Sequence, residues 1–271
     1  MALTHSPSIV TNGLVFHMDS NNRKSYTGPP LQNILNNSTI TPVGTGTATG
    51  YSSVGGYEVV NIPQLGPTTV SYNYIQNNYT SYSPNSGNCC PNLFSYGGGI
   101  TVSPSTVYTY GIVYKCDSGY TNPNFMYHYE YNGGTYVTEF GVFNSGSKVY
   151  LGNGWYYQLS TFTTNASTNN ISYAGLWYYN YSPYPDKISV AKIMIVPGTY
   201  TSLHPKYWPA LNTTRSNTQA IVDLTGNNTI TANSLTYASD GTFSFNGSGQ
   251  YFSVPYNSIM YPNSFSFTIQ V

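Results

Sequence analysis

The chain has 271 residues, of which only 6% are charged, and eight basic side chains balance eight acidic ones. An average globular domain is about 25% charged, so solubility here rests on hydroxyls and amides, and the lack of a basic surplus removes the counterion-release term on which nucleic-acid binding depends. DNA and RNA are excluded as expected partners. No stretch approaches the ~18 consecutive apolar residues of a membrane-spanning helix, and no membrane insertion is expected. About 270 residues suit one large or two medium domains.

Tyr alone supplies 30 residues. It is interleaved with Asn, Ser, Thr and Gly in alternating runs such as Phe-Met-Tyr-His-Tyr-Glu-Tyr at 125–131. The dominant period is two, and the runs are bounded by Gly, Pro, Asn and Ser clusters, as strands joined by turns should be. In chain order the predicted strands are 13–19, 58–62, 70–75, 107–115, 124–131, 136–143, 155–163, 171–178, 187–196, 242–246, 251–254 and 264–271. No helix is predicted. Many short strands with frequent turns favour a sandwich or jelly roll. The run from Lys187 to Val196 is apolar on both alternating faces, which belongs in the centre of a sheet covered on both sides.

Gly, Pro, Thr and Ser enrich residues 29–56, and Pro197, Pro205 and Pro209 with the polar run at 212–218 mark a second shift. The predicted organisation is an N-terminal strand segment at 1–28, a linker or irregular edge at 29–56, a jelly-roll domain at 57–200, a linker at 201–218 and a final segment at 219–271. Cys89 and Cys90 are adjacent and Cys116 lies about one strand further on, which is no disulfide framework. A zinc site would need a fourth ligand, for which only His128 is near, and reduced thiols are the simpler expectation.

The chemistry-bearing residues are sparse. Eight carboxylates are scattered without a tight pair, although Glu130 and Glu139 could face each other across a hairpin turning at Asn132, Gly133 and Gly134. Glycoside hydrolysis needs two carboxyls roughly 5–10 Å apart; two solvated strand residues are the plainer reading. No enzymatic activity is expected. Asp19, in Asp-Ser-Asn-Asn, and Asp223, in Asp-Leu-Thr-Gly-Asn, are candidate calcium ligands, against turn capping by the same side chains. No other cofactor is expected.

The aromatics are the stronger candidates. A sugar offers flat C–H faces beside hydroxyls, so a site for it needs exposed rings ringed by amides and hydroxyls. Alternation along each strand divides Tyr127, Tyr129 and Tyr131 from Met126, His128 and Glu130, Trp155 and Tyr157 from Tyr156, and Trp177 and Tyr179 from Leu176 and Tyr178. Tyr127, Tyr129, Trp155, Tyr157, Trp177, Tyr179 and Tyr181 are therefore the candidate glycan or interface residues, with core packing as the competing role.

The two ends of the chain carry a family resemblance. SIVTNGLVFHMDSNNRKSY at 8–26, VDLTGNN at 222–228, GTFSFNGSGQYFSV at 241–254 and SFSFTIQV at 264–271 resemble bacteriophage structural proteins of cyanophage type with a laminin-G or concanavalin A-like sandwich. In that family the opening leads soon into the Asp-Leu-Ser-Gly-Asn motif; here almost two hundred residues intervene. More loosely, ITVSPSTVYTY at 100–110, GWYY at 154–157, FTT at 162–164 and DKISVAKIMIVPG at 186–198 resemble the carbohydrate-binding-like jelly rolls of phage tail proteins.

The resemblance implies an all-β chain with a jelly roll inserted into a partial concanavalin A-like sandwich. It implies a virion structural protein (fibre, collar, tail or capsid decoration) assembled in the host cytoplasm. Its partners would be copies of itself, with a trimer among the expected homo-oligomers, neighbouring virion proteins and a host-surface polysaccharide. The family's sandwich continues beyond the 264–271 strand, so either the sequence is a piece of a longer protein or a neighbouring subunit completes the sheet by strand addition, and Phe265, Phe267 and Ile269 are expected to be covered in the assembled object. The alternative is an extracellular carbohydrate-binding module or adhesin domain.

Overall fold

The computed structural model describes residues 16–18, 25–35, 51–77, 99–116, 124–141, 148–177, 187–210 and 214–255. It forms two compact units. One comprises Met1–Pro30, Arg215–Ala238 and Thr242–Val271; the other comprises Leu31–Thr214 with Ser239–Gly241. Both are built from antiparallel strands, so the chain is all-β as its period predicts.

Among the described residues the middle unit holds ten strands: β1 (Tyr51–Ile62), β2 (Gly66–Asn77), β3 (Ile100–Thr101), β4 (Val107–Cys116), β5 (Asn124–Asn132), β6 (Thr135–Gly141), β7 (Lys148–Gly152), β8 (Trp155–Thr163), β9 (Asn170–Trp177) and β10 (Lys187–Pro197). They make a six-stranded sheet in the order β1-β2-β10-β4-β8-β7 and a four-stranded sheet in the order β3-β9-β5-β6. From β2 onward the chain crosses between sheets so that β2-β10-β4-β8 lies in one and β3-β9-β5-β6 in the other, which is the pairing of a jelly roll made of two Greek keys.

The sheets meet through apolar and aromatic side chains. The imidazole of His128 on β5 lies 4.6 Å from the Phe162 ring on β8, and Phe162 stacks on Tyr108 of β4 at 5.6 Å. Ile100, Ile112, Ile171, Ile193 and Ile195 are buried alongside them. β10 is central and buried on both faces: Ile193 and Ile195 are buried on one, and Met194 and Val196 on the other pack with Leu31, Trp155, Tyr157, Leu203 and Trp208 in a second core.

That second core corrects the linker reading of 201–218 and, of the two readings given for 29–56, favours the irregular edge at 31–35. Their Gly and Pro content marks irregular backbone, but Leu31, Leu35, Leu203 and Trp208 are buried. Trp208 donates from its indole N–H to the Leu203 carbonyl at 2.9 Å, and its ring lies where a Cβ on Gly111 would sit, 2.7 Å away. Residues 51–62 are strand, the first half of a hairpin with β2. The hydrophobic anchors in these segments are too widely spaced to show a period, so composition dominated the expectation.

Asn33 explains how an irregular segment can cover a sheet. β2 pairs only with Lys187–Val190 of β10, and beyond that point residues 31–35 take over the edge. Ile34 donates its N–H to the Ile195 carbonyl at 2.9 Å. The Asn33 amide donates to the Ile193 and Pro209 carbonyls at 3.2 and 3.4 Å and accepts from the Ile195 and Leu35 N–H groups at 3.1 and 3.3 Å.

The terminal unit adds β11 (Thr231–Asn233), β12 (Thr236–Tyr237), β13 (Phe243–Ser244), β14 (Tyr251–Ser253) and a one-turn helix α1 (Asn217–Ala220). It joins the two ends of the chain: Tyr26 bridges Ile221, and the Thr27 N–H donates to the Ala220 carbonyl at 2.9 Å. Phe243 packs edge-on against Tyr26, Tyr237, Phe245 and Phe252 at 5.3 to 6.3 Å. The predicted strand at 13–19 and the edge residues Phe265, Phe267 and Ile269 lie outside the described residues, in whole or in part.

A buried polar group left without a partner costs about 1–3 kcal/mol. Asn33→Leu therefore lowers unfolding free energy by about that amount per stranded backbone group, read from urea melts; an unchanged midpoint would show that the amide contributes only shape.

Candidate functional site

Strand β5 sorts its side chains by parity. His128 and Glu130 are buried on the face turned toward the six-stranded sheet, whereas Tyr129 and Tyr131 are half-buried on the opposite face. Between β5 and β6 the register slips, with Glu130 opposite Thr138 but Tyr131 opposite Tyr136. Val137 is thus the extra residue of a β-bulge, a device that re-aims side chains. Strict alternation would put Tyr136 and Glu139 on opposite faces; the bulge puts both on the outer one.

The result is a cluster of three tyrosines. Tyr136 is 53% exposed, and its ring stands edge-on to Tyr129 and Tyr131, with centroids 6.2 Å away in each case. Glu139 pairs with Tyr129 and is exposed. Desolvation by its neighbours, then the charge of Glu139 and the adjoining Tyr129 and Tyr131 hydroxyls, pushes the Tyr136 phenol above its ordinary value. It stays a hydrogen-bond donor at neutral pH. On the neighbouring strand, Tyr131 faces Asn170, and beside the turn Asn169 donates to the Asn132 side-chain oxygen at 3.0 Å and accepts from Gly133 N–H at 3.2 Å. Rings rimmed by amides and hydroxyls can stack on a sugar and hydrogen-bond around it.

Beneath this face lies a buried polar anchor. The Glu130 carboxylate accepts from the Asn165 N–H at 2.8 Å and from the Thr168 hydroxyl, and His128 Nε2 is 3.5 Å from its other oxygen. Burial alone would raise the carboxyl's pKa, but the adjoining His128 imidazole and the hydrogen bonds from Thr168 and Asn165 outweigh it and hold the value below the ordinary one. The loop at 164–169 is thereby fastened to β5, and Asn169 N–H extends the tie to the Tyr131 carbonyl at 3.0 Å.

The sequence-derived candidates divide as follows. Tyr129 stands on the outer face; Tyr127 and Trp177 lie in β5 and β9; Tyr179 and Tyr181 lie outside the described residues. Trp155 and Tyr157 are core residues, 4% and 6% exposed, which corrects their expected role as sugar-facing rings. Their face of β8 is the one covered by the segments at 31–35 and 203–208, whose composition gives no sign of such a cover. Tyr136 is no candidate in the sequence, and Glu139 is one only as a possible partner of Glu130, because the bulge that unites Tyr136 and Glu139 leaves no mark in the alternation. The Asn132-Gly133-Gly134 turn was the available signal that a tight hairpin, the usual place for a bulge, lay here.

Glu130 and Glu139 do not form a catalytic pair, since one faces the interior and the other leaves from the outer face. Asp223 is a turn cap: its carboxylate accepts from the N–H groups of His17, Thr225 and Asn228, from the Thr225 hydroxyl and from the Asn228 amide, at 2.7 to 3.1 Å. A carboxylate has about four lone-pair sites, so these five donors leave no room for calcium at that residue. Burial alone would raise its pKa, but the same hydrogen bonds outweigh this and hold it low. Asp19 lies outside the described residues, as do Cys89 and Cys90; Cys116 is buried on β4. Among the described residues, no group of His, Cys, Asp and Glu is arranged to hold a metal, and no helix is long and apolar enough to cross a membrane.

A second exposed ring, Tyr150 at the edge strand β7, is 55% exposed and tilts against Tyr156 at 5.0 Å. Tyr156 in turn stacks on buried Tyr114 at 6.0 Å, whose hydroxyl pKa is driven up by burial and then by Cys116 and Tyr156.

No protein-family model and no curated protein matches the chain. Among solved structures it is similar to the enzymatically active domain of bacteriophage CBA120 tailspike protein 4, at 9% identity and a TM-score of 0.28 over 68% of this chain and 22% of that one. It is also similar to a CBM4 structure, at 15% identity and a TM-score of 0.28 over 60% and 99%, and to the CBM22-1 xylan-binding domain from Paenibacillus barcinonensis Xyn10C, at 10% identity and 0.28 over 63% and 95%. Scores this low carry no functional inference.

Because the Glu130 carboxyl is held below its ordinary pKa, its stabilising effect is present above about pH 4.3, the unfolded value, and is lost as pH falls through the lower folded value. At pH 7 Glu130→Gln is expected to cost about 1.5–3 kcal/mol, and the gap from wild type should close in acid. A gap that stays constant from pH 7 to pH 3 in urea melts would contradict an ionised anchor.

Proposed function

We propose that this chain is a non-enzymatic virion structural protein that holds a glycan on the outer face of its four-stranded sheet. One observation carries the binding role: Tyr129, Tyr131 and Tyr136 share a solvent-facing patch with Glu139, bordered by Asn132, Asn169 and Asn170. Tyrosine gives large contact area at low entropic cost, and the Glu130 anchor fixes the adjoining loop from below, which spares the ordering cost of binding. The face sits on strands, not on a loop.

The virion setting is supported by the resemblance of residues 8–26 and 222–254 to phage structural proteins. Those two motifs, distant in sequence, meet in the terminal unit where His17 N–H donates to Asp223 at 2.9 Å and the Leu224 N–H donates to the His17 carbonyl at 2.8 Å. In this reading the protein assembles with copies of itself and with neighbouring virion proteins, Phe265, Phe267 and Ile269 form an edge that a neighbour covers, and weak glycan contacts gain strength by repetition.

Two measurements test the proposal. On a glycan array, Tyr131→Ala combined with Tyr136→Ala should weaken binding by about tenfold or more, as loss of about 1.4 kcal/mol of stacking implies, while circular dichroism remains that of the wild type. Retained binding by the folded double variant contradicts the face. Light scattering at micromolar concentration should give a multiple of the 29.7 kDa protomer mass, trimer being the expected multiple; a monomer contradicts self-assembly.

A further inference from the structure

The electrostatics of the tyrosine face say which glycans it can take. β3, β5, β6 and β9 contain no Lys or Arg, and none occurs in the segments that flank and join them at 102–106, 117–123, 133–134, 142–147, 164–169 and 178–186. Those segments add only carboxylates, Asp117 and Asp186. The lysines of the middle unit belong to strands of the other sheet, Lys115 on β4, Lys148 on β7 and Lys187 and Lys192 on β10, or to the turn at Lys206. Of the two acids on β5 and β6, Glu130 faces inward and is satisfied there by Asn165 and Thr168, so the charge presented outward is that of Glu139.

A site for an anionic polymer needs the reverse. Carboxylate, sulfate and phosphate groups are recognised through Arg or Lys forks and ammonium groups, and this face offers neither. A carboxylate can only accept hydrogen bonds. Beside three rings, Glu139 therefore suits the hydroxyls of an uncharged sugar and repels any anion brought within the same few ångströms.

We propose that the Tyr129, Tyr131 and Tyr136 face selects neutral, hydroxyl-rich polysaccharides over uronate-, sulfate- or phosphate-bearing ones, and that Glu139 is the residue that sets this choice. The inference rests on the glycan-binding reading above and adds the ligand's chemical class. Tyr136 strengthens it, because a phenol kept protonated beside Glu139 donates to sugar oxygens while the carboxylate accepts from sugar hydroxyls. The bulge at Val137 is what makes the pair possible.

Matched polymers separate the two levels of the claim. Affinity electrophoresis of wild type and Glu139→Gln would compare dextran with dextran sulfate, hydroxyethyl cellulose with carboxymethyl cellulose, and agarose with carrageenan, at low and high salt. The wild type should be retarded by the neutral member of at least one pair and about tenfold less by its acidic partner, a ratio expected for one like charge at close range. The ratio should shrink as salt screens it. In Glu139→Gln it should fall toward one and lose its salt dependence. Tighter binding to the acidic member, or an unchanged ratio in Glu139→Gln, overturns the assignment and leaves glycan binding standing. Failure of the folded wild type to bind either member of every pair overturns the binding reading itself, and the selectivity with it.

Discussion

Side chains leave a pleated strand alternately from its two faces, and the middle unit depends on how β5 keeps that rule and β6 breaks it. On β5 the rule sends His128 and Glu130 into the space between the sheets and Tyr129 and Tyr131 outward. On β6 the extra residue at Val137 interrupts it and brings Tyr136 and Glu139 to the same side. One strand pair therefore contributes both to the core and to an exposed aromatic patch. A one-residue slip would exchange the two sets, burying hydroxyls and exposing the charge anchor, so the register is strongly specified.

A protein with so few charges must hold its irregular segments by other means. Here the amides and hydroxyls do so. Asn33 closes the open half of β10, Glu130 fastens the loop at 164–169, and Asp223 gathers its own turn and the backbone of His17. Each is a hydrogen-bonded group at a place where regular pairing stops, and each spares backbone groups the cost of burial without a partner. The outer tyrosine face uses the same groups, rings with amides at the rim.

Much of the fold was legible because period-two patterning is a local signal. The strands containing residues 107–115, 124–131, 155–163 and 187–196 fall at β4, β5, β8 and β10, and the two-sided apolar run at β10 marks the centre of its sheet. What escaped was non-local or aperiodic. β7 is a five-residue edge strand, too short to show a period; Leu31, Leu203 and Trp208 enter the core from stretches whose Pro and Gly content suggests linkers; Trp155 and Tyr157 take their burial from those same stretches, so alternation separates their face from that of Tyr156 without saying which one is covered. The candidate site was half legible. Tyr129 follows from parity, whereas Tyr136 and Glu139 require the bulge, which only coordinates reveal.

The central claim is that the outer face of β5 and β6 is where a sugar lies. Tyrosine nitration followed by peptide mapping, with and without a saturating neutral oligosaccharide from a polymer the protein retains, tests it directly. The account predicts protection at Tyr131 and Tyr136 and unchanged labelling at Tyr150, which is as exposed as Tyr136 and lies on the other sheet. Protection at Tyr150 with Tyr131 and Tyr136 still open to reagent would contradict it.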